Sequence, residues 1–190
     1  MEKIVNVEKD FVKIDYSENN IASQEFESCR FVGCNFMKAE IFDTVFIDCT
    51  FDFCNFSMSV LKNVGLRNVI FKNCKLLGLD FTNCDKFLFR ISFEKSVLNY
   101  TFFNSNNLKK TKFLNCEIKE ANFNSVDLSE AAFDNCDLEL TVFEKCNMSK
   151  TDFSSSYNFS MDPEQNKIKK AKFSAEGALG LLNKYDIEII

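Results

Sequence analysis

The residues best equipped for chemistry are nine cysteines and twenty-eight carboxylates; histidine and tryptophan are absent. Cysteines in such number suggest a disulfide framework, metal ligation or thiol redox chemistry. Without histidine, every Ser-His, Cys-His and His-metal arrangement is excluded. There is no C-x-x-C pair, no glycine-rich phosphate loop and no nucleophile elbow. The cysteines share a place in a pattern instead. Cys29, Cys34, Cys49, Cys54, Cys74, Cys116, Cys136 and Cys146 each stand two residues before a large apolar residue, and Cys84 stands two before Lys86. Elsewhere the same offset holds Ala39, Thr44, Ser59, Ser96, Thr101, Thr111, Ala121, Ala131, Thr141 and Thr151. The position wants a small residue, so the thiols read as reduced, small hydrophobes, with no catalytic, metal or cofactor site.

The elements that position them repeat every five residues. Phe11, Tyr16, Ile21, Phe26, Phe31, Phe36, Ile41, Phe46, Phe51, Phe56, Leu61, Leu66, Phe71, Leu76 and Phe81 form one unbroken apolar series. A second runs Phe93, Leu98, Phe103, Leu108, Phe113, Ile118, Phe123, Leu128, Phe133, Leu138, Phe143, Met148 and Phe153, shifted by two residues. A helix would scatter such a stripe, because five steps of 100° leave each residue 140° from the last. A flat strand would turn alternate members into water. The backbone must therefore bend once per five residues. Four bends close a square coil of 20 residues, and coils stack at ~4.8 Å. Residues 20 apart then form ladders: Phe93, Phe113, Phe133, Phe153 and Phe173 on one side, Phe103, Phe123 and Phe143 opposite. With only five glycines and one proline, few φ > 0 turns are expected, which argues against hairpin-rich β folds.

Segments such as Ala121–Ser125 and Val126–Glu130 resemble the A-(D/N)-(L/F)-x-x motif of the pentapeptide-repeat family. The resemblance extends from about Phe26 to Phe153. It implies an all-β fold, a right-handed quadrilateral β-helix of about 7–8 coils, over residues 1–173. A phase break near 82–92 would divide it into two stacks. Leu88 fits the second phase, so two residues are extra there, too few for the longer loops of quinolone-resistance members. Residues 174–190 read as a short helix capped by Ser174, followed by a strand-like tail. That segment either caps the last coil or, as in those members, makes a homodimer, through Leu179, Leu181, Leu182, Tyr185, Ile187 and Ile189.

Charge bears on partners. Many bacterial members resemble duplex DNA and bind type II topoisomerases in its place. Here a net charge of −5 over a rod of ~35–40 Å gives one charge per ~8 Å, against one per ~1.7 Å in DNA. Uniform mimicry fails, but Glu120, Asp127, Glu130, Asp134, Asp137, Glu139 and Glu144 lie in a stretch without Lys or Arg. Basic clusters flank it, at Lys109, Lys110, Lys112 and Lys119, and at Lys167, Lys169, Lys170 and Lys172. The resemblance thus implies a non-enzymatic protein whose acidic belt binds DNA gyrase or topoisomerase IV as a partial DNA mimic, with quinolone protection. The alternative is a scaffold for another protein. Direct nucleic-acid binding is not expected. No 18-residue apolar run and no signal-peptide layout occur, so a cytoplasmic location is expected.

Overall fold

The computed structural model describes residues 4–188. Short parallel strands and single bridges follow one another around a square section, each pairing with the residue 20 positions on. Ile4 lies beside Gln24, Phe31 beside Phe51 and Phe113 beside Phe133. Each five-residue unit places a small side chain inward, one outward, a large one inward and one outward, and then turns.

The turn corrects the composition argument. Twenty-nine non-glycine residues have φ between 48° and 62°, nearly all two positions after an inward residue. Lys13, Lys38, Asp48, Asn63, Asn115 and Leu140 are examples. A left-handed conformation costs a non-glycine residue ~1–2 kcal/mol. Stacking offsets this, because the turn residue's N–H is already paired: Lys13 N donates to Val32 O at 2.8 Å and Lys38 N to Ser57 O at 3.0 Å. Scarce glycine therefore does not mean scarce φ > 0.

Four inward columns fill the lumen, and they define four faces. The first face holds Phe11, Phe31, Phe51, Phe71, Phe93, Phe113, Phe133, Phe153 and Phe173, nine rings stacked at centroid spacings of 4.4–5.5 Å. The second runs from Tyr16 through Phe36, Phe56 and Leu76 to Leu138. The third runs from Ile21 through Phe81, Phe103 and Phe123 to Phe143. The fourth contains Asn6, Phe26, Phe46, Leu66, Phe89, Leu108, Leu128, Met148 and Ile168. Rings confined to the first and third faces, with aliphatic columns between them, occur only in the C-terminal half. In the N-terminal half the first, second and fourth columns are all aromatic, and rings on adjacent faces meet edge-on at 5.0–5.9 Å.

The phase break is a bulge within a continuous sheet. Strand Gly65–Lys72 pairs with strand Asp85–Glu94, and the register slips from Gly65 beside Asp85 to Phe71 beside Phe93. Leu88 does not enter the second phase: it sits at φ 54°, exposed, while Phe89 fills the lumen. The two extra residues push Phe87 and Leu88 outward, and the Phe71–Phe93 stack continues at 5.5 Å.

The C-terminal segment forms two 3₁₀ turns, Gly177–Leu181 and Asn183–Tyr185. Ser174 initiates the first, its Oγ accepting from Gly177 N at 2.9 Å. Gly180 is required by contact, since a Cβ there would lie 2.2 Å from Phe159 O. No strand forms at Ile187; Ile189 lies outside the described residues. Lys184 pins the segment to Asp162 and Glu164 at 2.7 and 2.6 Å, and Leu181 packs against the core. The segment covers the last coil, leaving Leu179, Tyr185 and Ile187 exposed and Leu182 half-buried.

Candidate interaction surfaces

All nine cysteines are buried. Their thiols are more than small hydrophobes. Cys49 Sγ donates to Phe26 O, one coil back, at 3.3 Å, as Cys54 does to Phe31 O and Cys74 to Phe51 O at 3.4 Å. Hydroxyls repeat the contact from the same offset: Ser59 to Phe36 O at 2.6 Å, Thr151 to Leu128 O and Ser156 to Phe133 O at 2.7 Å. The offset selects for small size, as Ala39, Ala121 and Ala131 show, and where it holds Cys, Ser or Thr the side chain also donates to a carbonyl one coil back. Burial pushes the Cys49 and Cys84 thiols up to about 12 and Cys146 up to about 11, the opposite of an activated nucleophile. Among the described residues no group of three or more His, Cys, Asp or Glu is placed to hold a metal.

The outward positions are what remains for function. The seven belt carboxylates fall on every face. Asp137 and Glu139 flank Leu138 on the second, with Glu120 on its corner. Glu144 is on the third, Asp127 on the fourth with Glu130 at its corner, and Asp134 on the first. The structure does not leave them uniformly free. Lys119 Nζ lies 3.0 Å from both Asp137 and Glu139, and Lys109 and Lys110 reach Glu130 at 3.6 and 3.8 Å. Hydrogen bonds to Glu139 and Asp137 raise the Lys119 ammonium well above its ordinary range. Partial burial pushes the Asp137 carboxyl up, but donors from Asn158 and Lys119 outweigh it and hold it low. Among the described residues Asp127, Asp134 and Glu144 accept only neutral donors: Asp127 from Asn147 at 3.1 Å and Ser129 N at 2.9 Å, Asp134 from Ser155 at 2.8 Å and Glu144 from Asn124 at 3.1 Å. Glu120 accepts from the Tyr100 hydroxyl, which raises that phenol.

One part of the belt is concave. Between the last regular coil and the excursion after Ser156 lies an open depression of about 660 Å³. Glu139, Glu144 and Asp162 line it together with Leu140, Val142, Phe159 and Met161. Leu140 is 71% exposed there. This depression was not visible in the sequence, because Ser156–Gln165 departs from the five-residue register.

The described residues form a parallel β-solenoid with a filled lumen, buried thiols and charged flat faces. Its coil is the right-handed quadrilateral β-helix. Residues 65–139 match the family described as pentapeptide repeat region. That segment is a pentapeptide repeat region, and the fold around it is of the same kind. Among solved structures it is similar to HetL, a pentapeptide repeat protein involved in heterocyst differentiation regulation from the cyanobacterium Nostoc sp. strain PCC 7120. There the identity is 11%, the match covers 92% of this chain and 86% of that one, and the TM-score is 0.66. Full-length QnrB1, a plasmid-mediated fluoroquinolone resistance protein, is 18% identical over 96% of this chain and 100% of its own, with a TM-score of 0.51. A comparison with curated proteins gives no match. Among the described residues no helix is long and apolar enough to cross a membrane.

Proposed function

We propose that the chain is a non-catalytic, cytoplasmic protein-interaction module that docks a basic partner surface on its acidic belt, with DNA gyrase or topoisomerase IV as the partner. The observation that carries the reading is the depression, where Glu144, in no ion pair among the described residues, stands with Glu139 and Asp162, which Lys119 and Lys184 share, around the exposed Leu140 and Val142. Carboxylates around an apolar centre suit a partner presenting Lys or Arg around an apolar side chain. The likeness to QnrB1, a plasmid-mediated fluoroquinolone resistance protein, supports a protective role against quinolones, and the choice of topoisomerase rests on the resemblance to the family. The test is gyrase supercoiling with and without a fluoroquinolone, using the wild type and a Glu139→Lys, Glu144→Lys variant. The expected result is relief of quinolone inhibition by the wild type and its loss in the variant. No effect of the wild type on supercoiling or on inhibition refutes the topoisomerase partner.

A second reading rests on Lys109, Lys110 and Lys119, which neutralise Glu130, Asp137 and Glu139. With three of seven belt charges paired internally, the surface is a poorer copy of a phosphate backbone and a better scaffold for a partner unrelated to DNA. Capture of one such partner whose binding survives reversal of Glu139 and Glu144 supports this reading. The homodimer through the C-terminus belongs here too. It would use the exposed Leu179, Tyr185 and Ile187, and Leu182→Glu should convert it to monomer.

A further inference from the structure

The fourth face is electrically dipolar along the rod. Its outward positions carry Glu25 and Glu27 around Phe26, and Asp48 at the corner after Phe46. At the other end lie Lys150 at the corner after Met148, then Lys167 and Lys169 around Ile168, with Lys170 at the corner. All but the half-buried Glu25 are exposed. Among the described residues none of these seven makes an ion pair. Lysines on neighbouring faces do, as with Lys72 to Glu94 and Lys172 to Asp152 at 3.4 and 2.9 Å. Unpaired opposite charges at the two ends of one flat face are complementary to the same face turned end for end.

The columns make that complementarity specific. A two-fold axis lying in the face, perpendicular to the rod, reverses the order of rungs and keeps each column opposite itself. Placed between the Phe89 and Leu108 rungs, it sets the Phe26 rung against the partner copy's Ile168 rung, and the Phe46 rung against the Met148 rung. Glu25 then faces the partner's Lys167, Glu27 its Lys169, and Asp48 its Lys150. Two-fold symmetry makes each of the three pairs twice. On the next rung inward Asn68 faces the partner's Glu130, an amide against a carboxylate. Beside the axis stand the bulge residues Phe87 and Leu88, 62% and 65% exposed. One rung separates each from its symmetry mate, so the insertion supplies an apolar centre. The cations nearest the axis weaken the contact there: Arg90, exposed and in no ion pair among the described residues, faces the partner's Lys109, whereas Lys109 and Lys110 are shared with Glu130, and Arg67 pairs with Asp85 at 3.5 Å and lies 5.0 Å from the Phe87 ring.

We propose that the fourth face is a self-association surface on which a second copy of this chain packs antiparallel. Its ionic contacts join Glu25, Glu27 and Asp48 to the partner's Lys167, Lys169 and Lys150, and Phe87 and Leu88 pack beside the two-fold axis. The overlap spans seven rung intervals, ~34 Å, and a face is about three residues, or ~10 Å, wide. About 350 Å² per copy, ~700 Å² in total, lies below the ~1,200 Å² at which stable specific interfaces begin, so the contact is a weak, transient one. The association is therefore concentration-dependent and falls with salt, because the Debye length shrinks from ~10 Å at 0.1 M to ~3 Å at 1 M. It leaves the C-terminal cap and most of the depression beside it free.

The test is sedimentation velocity of the full chain at ~50 mM and ~500 mM salt. The wild type should move from 22.0 kDa towards twice that mass as concentration rises at low salt, and revert at high salt. Glu25→Lys with Glu27→Lys should raise the dimer Kd by about tenfold or more, and Lys167→Glu with Lys169→Glu should do the same. Mixing the two variants should restore association to the wild-type level, because each hybrid juxtaposes opposite charges at both ends. These are exposed positions, and unchanged circular dichroism melting confirms that each variant folds. A mass of 22.0 kDa at every salt and concentration overturns the proposal. So does a dimer indifferent to both reversals, a mixture that stays monomeric, or a dimer lost on Leu182→Glu but kept by the charge variants.

Discussion

Phe113 is the sixth of the nine rings in the first column, with stacked rings on both sides, and its truncation tests whether that column holds the rod together. It is 0% exposed. Phe93 stacks on one side at 5.2 Å and Phe133 on the other at 4.4 Å, while Phe103 and Phe123 meet it edge-on at 6.3 and 6.2 Å. Burying Phe and then cutting it to Ala costs ~3–5 kcal/mol, with the upper part of the range where the cavity cannot collapse. Here it cannot readily collapse, because coils held by backbone hydrogen bonds fix the walls. We expect ~4–5 kcal/mol for Phe113→Ala. Phe173 ends the same column, half-buried, with one stack at 5.5 Å onto Phe153 and a tilted contact with Phe159 at 5.9 Å. Phe173→Ala should cost ~1–2 kcal/mol, since less area is lost and the end can relax. Urea unfolding monitored by circular dichroism gives both values. Equal costs, or a Phe113→Ala cost below ~1.5 kcal/mol, would refute the view that mid-column stacking carries the stability.

Leu140 holds a left-handed φ of 56° while mostly exposed, so Leu140→Asn should raise thermal stability by ~0.5–1 kcal/mol, and a loss instead would mean that its side chain is packed. Cys49, held up at about 12, should resist iodoacetamide at pH 8 in the folded protein and react once urea unfolds it, read by mass spectrometry. Asp152 is held down to about 2 by the Ser154 hydroxyl and then by Lys172 at 2.9 Å. Its folded pKa lies below its unfolded value, so its contribution is present above about pH 4 and is lost as pH falls towards 2. Asp152→Asn should flatten that part of the stability profile, and an unchanged slope would assign acid unfolding to other carboxylates.

The lattice was legible because one physical requirement, a filled square lumen, recurs every five residues and admits a polar residue such as Asn6 only at the end of the stack. Where the requirement is met by a different residue, the pattern misleads. Leu88 has the right spacing for the second phase, but Phe89 is the larger plug for the hole left beneath Leu66, so the bulge turned Leu88 out. The turns were misjudged for another reason: composition counts glycine, whereas the cost at Lys13 or Asn115 is met by a hydrogen bond from the neighbouring coil. At the C-terminus the deciding contact, Gly180 against Phe159 O, joins two segments that both lie outside the register, and no spacing rule connects them. The belt shows the deepest limit. A run of carboxylates without lysine looks like a continuous acidic surface, but in a 20-residue coil the spatial neighbour of Glu139 is Lys119, not Leu140. Charge in a solenoid has to be read down columns. Read that way, the acidic run around Glu130 loses much of its uniformity. The scattered Glu25, Glu27, Asp48, Lys150, Lys167 and Lys169, unremarkable along the chain, line up as the two poles of one face.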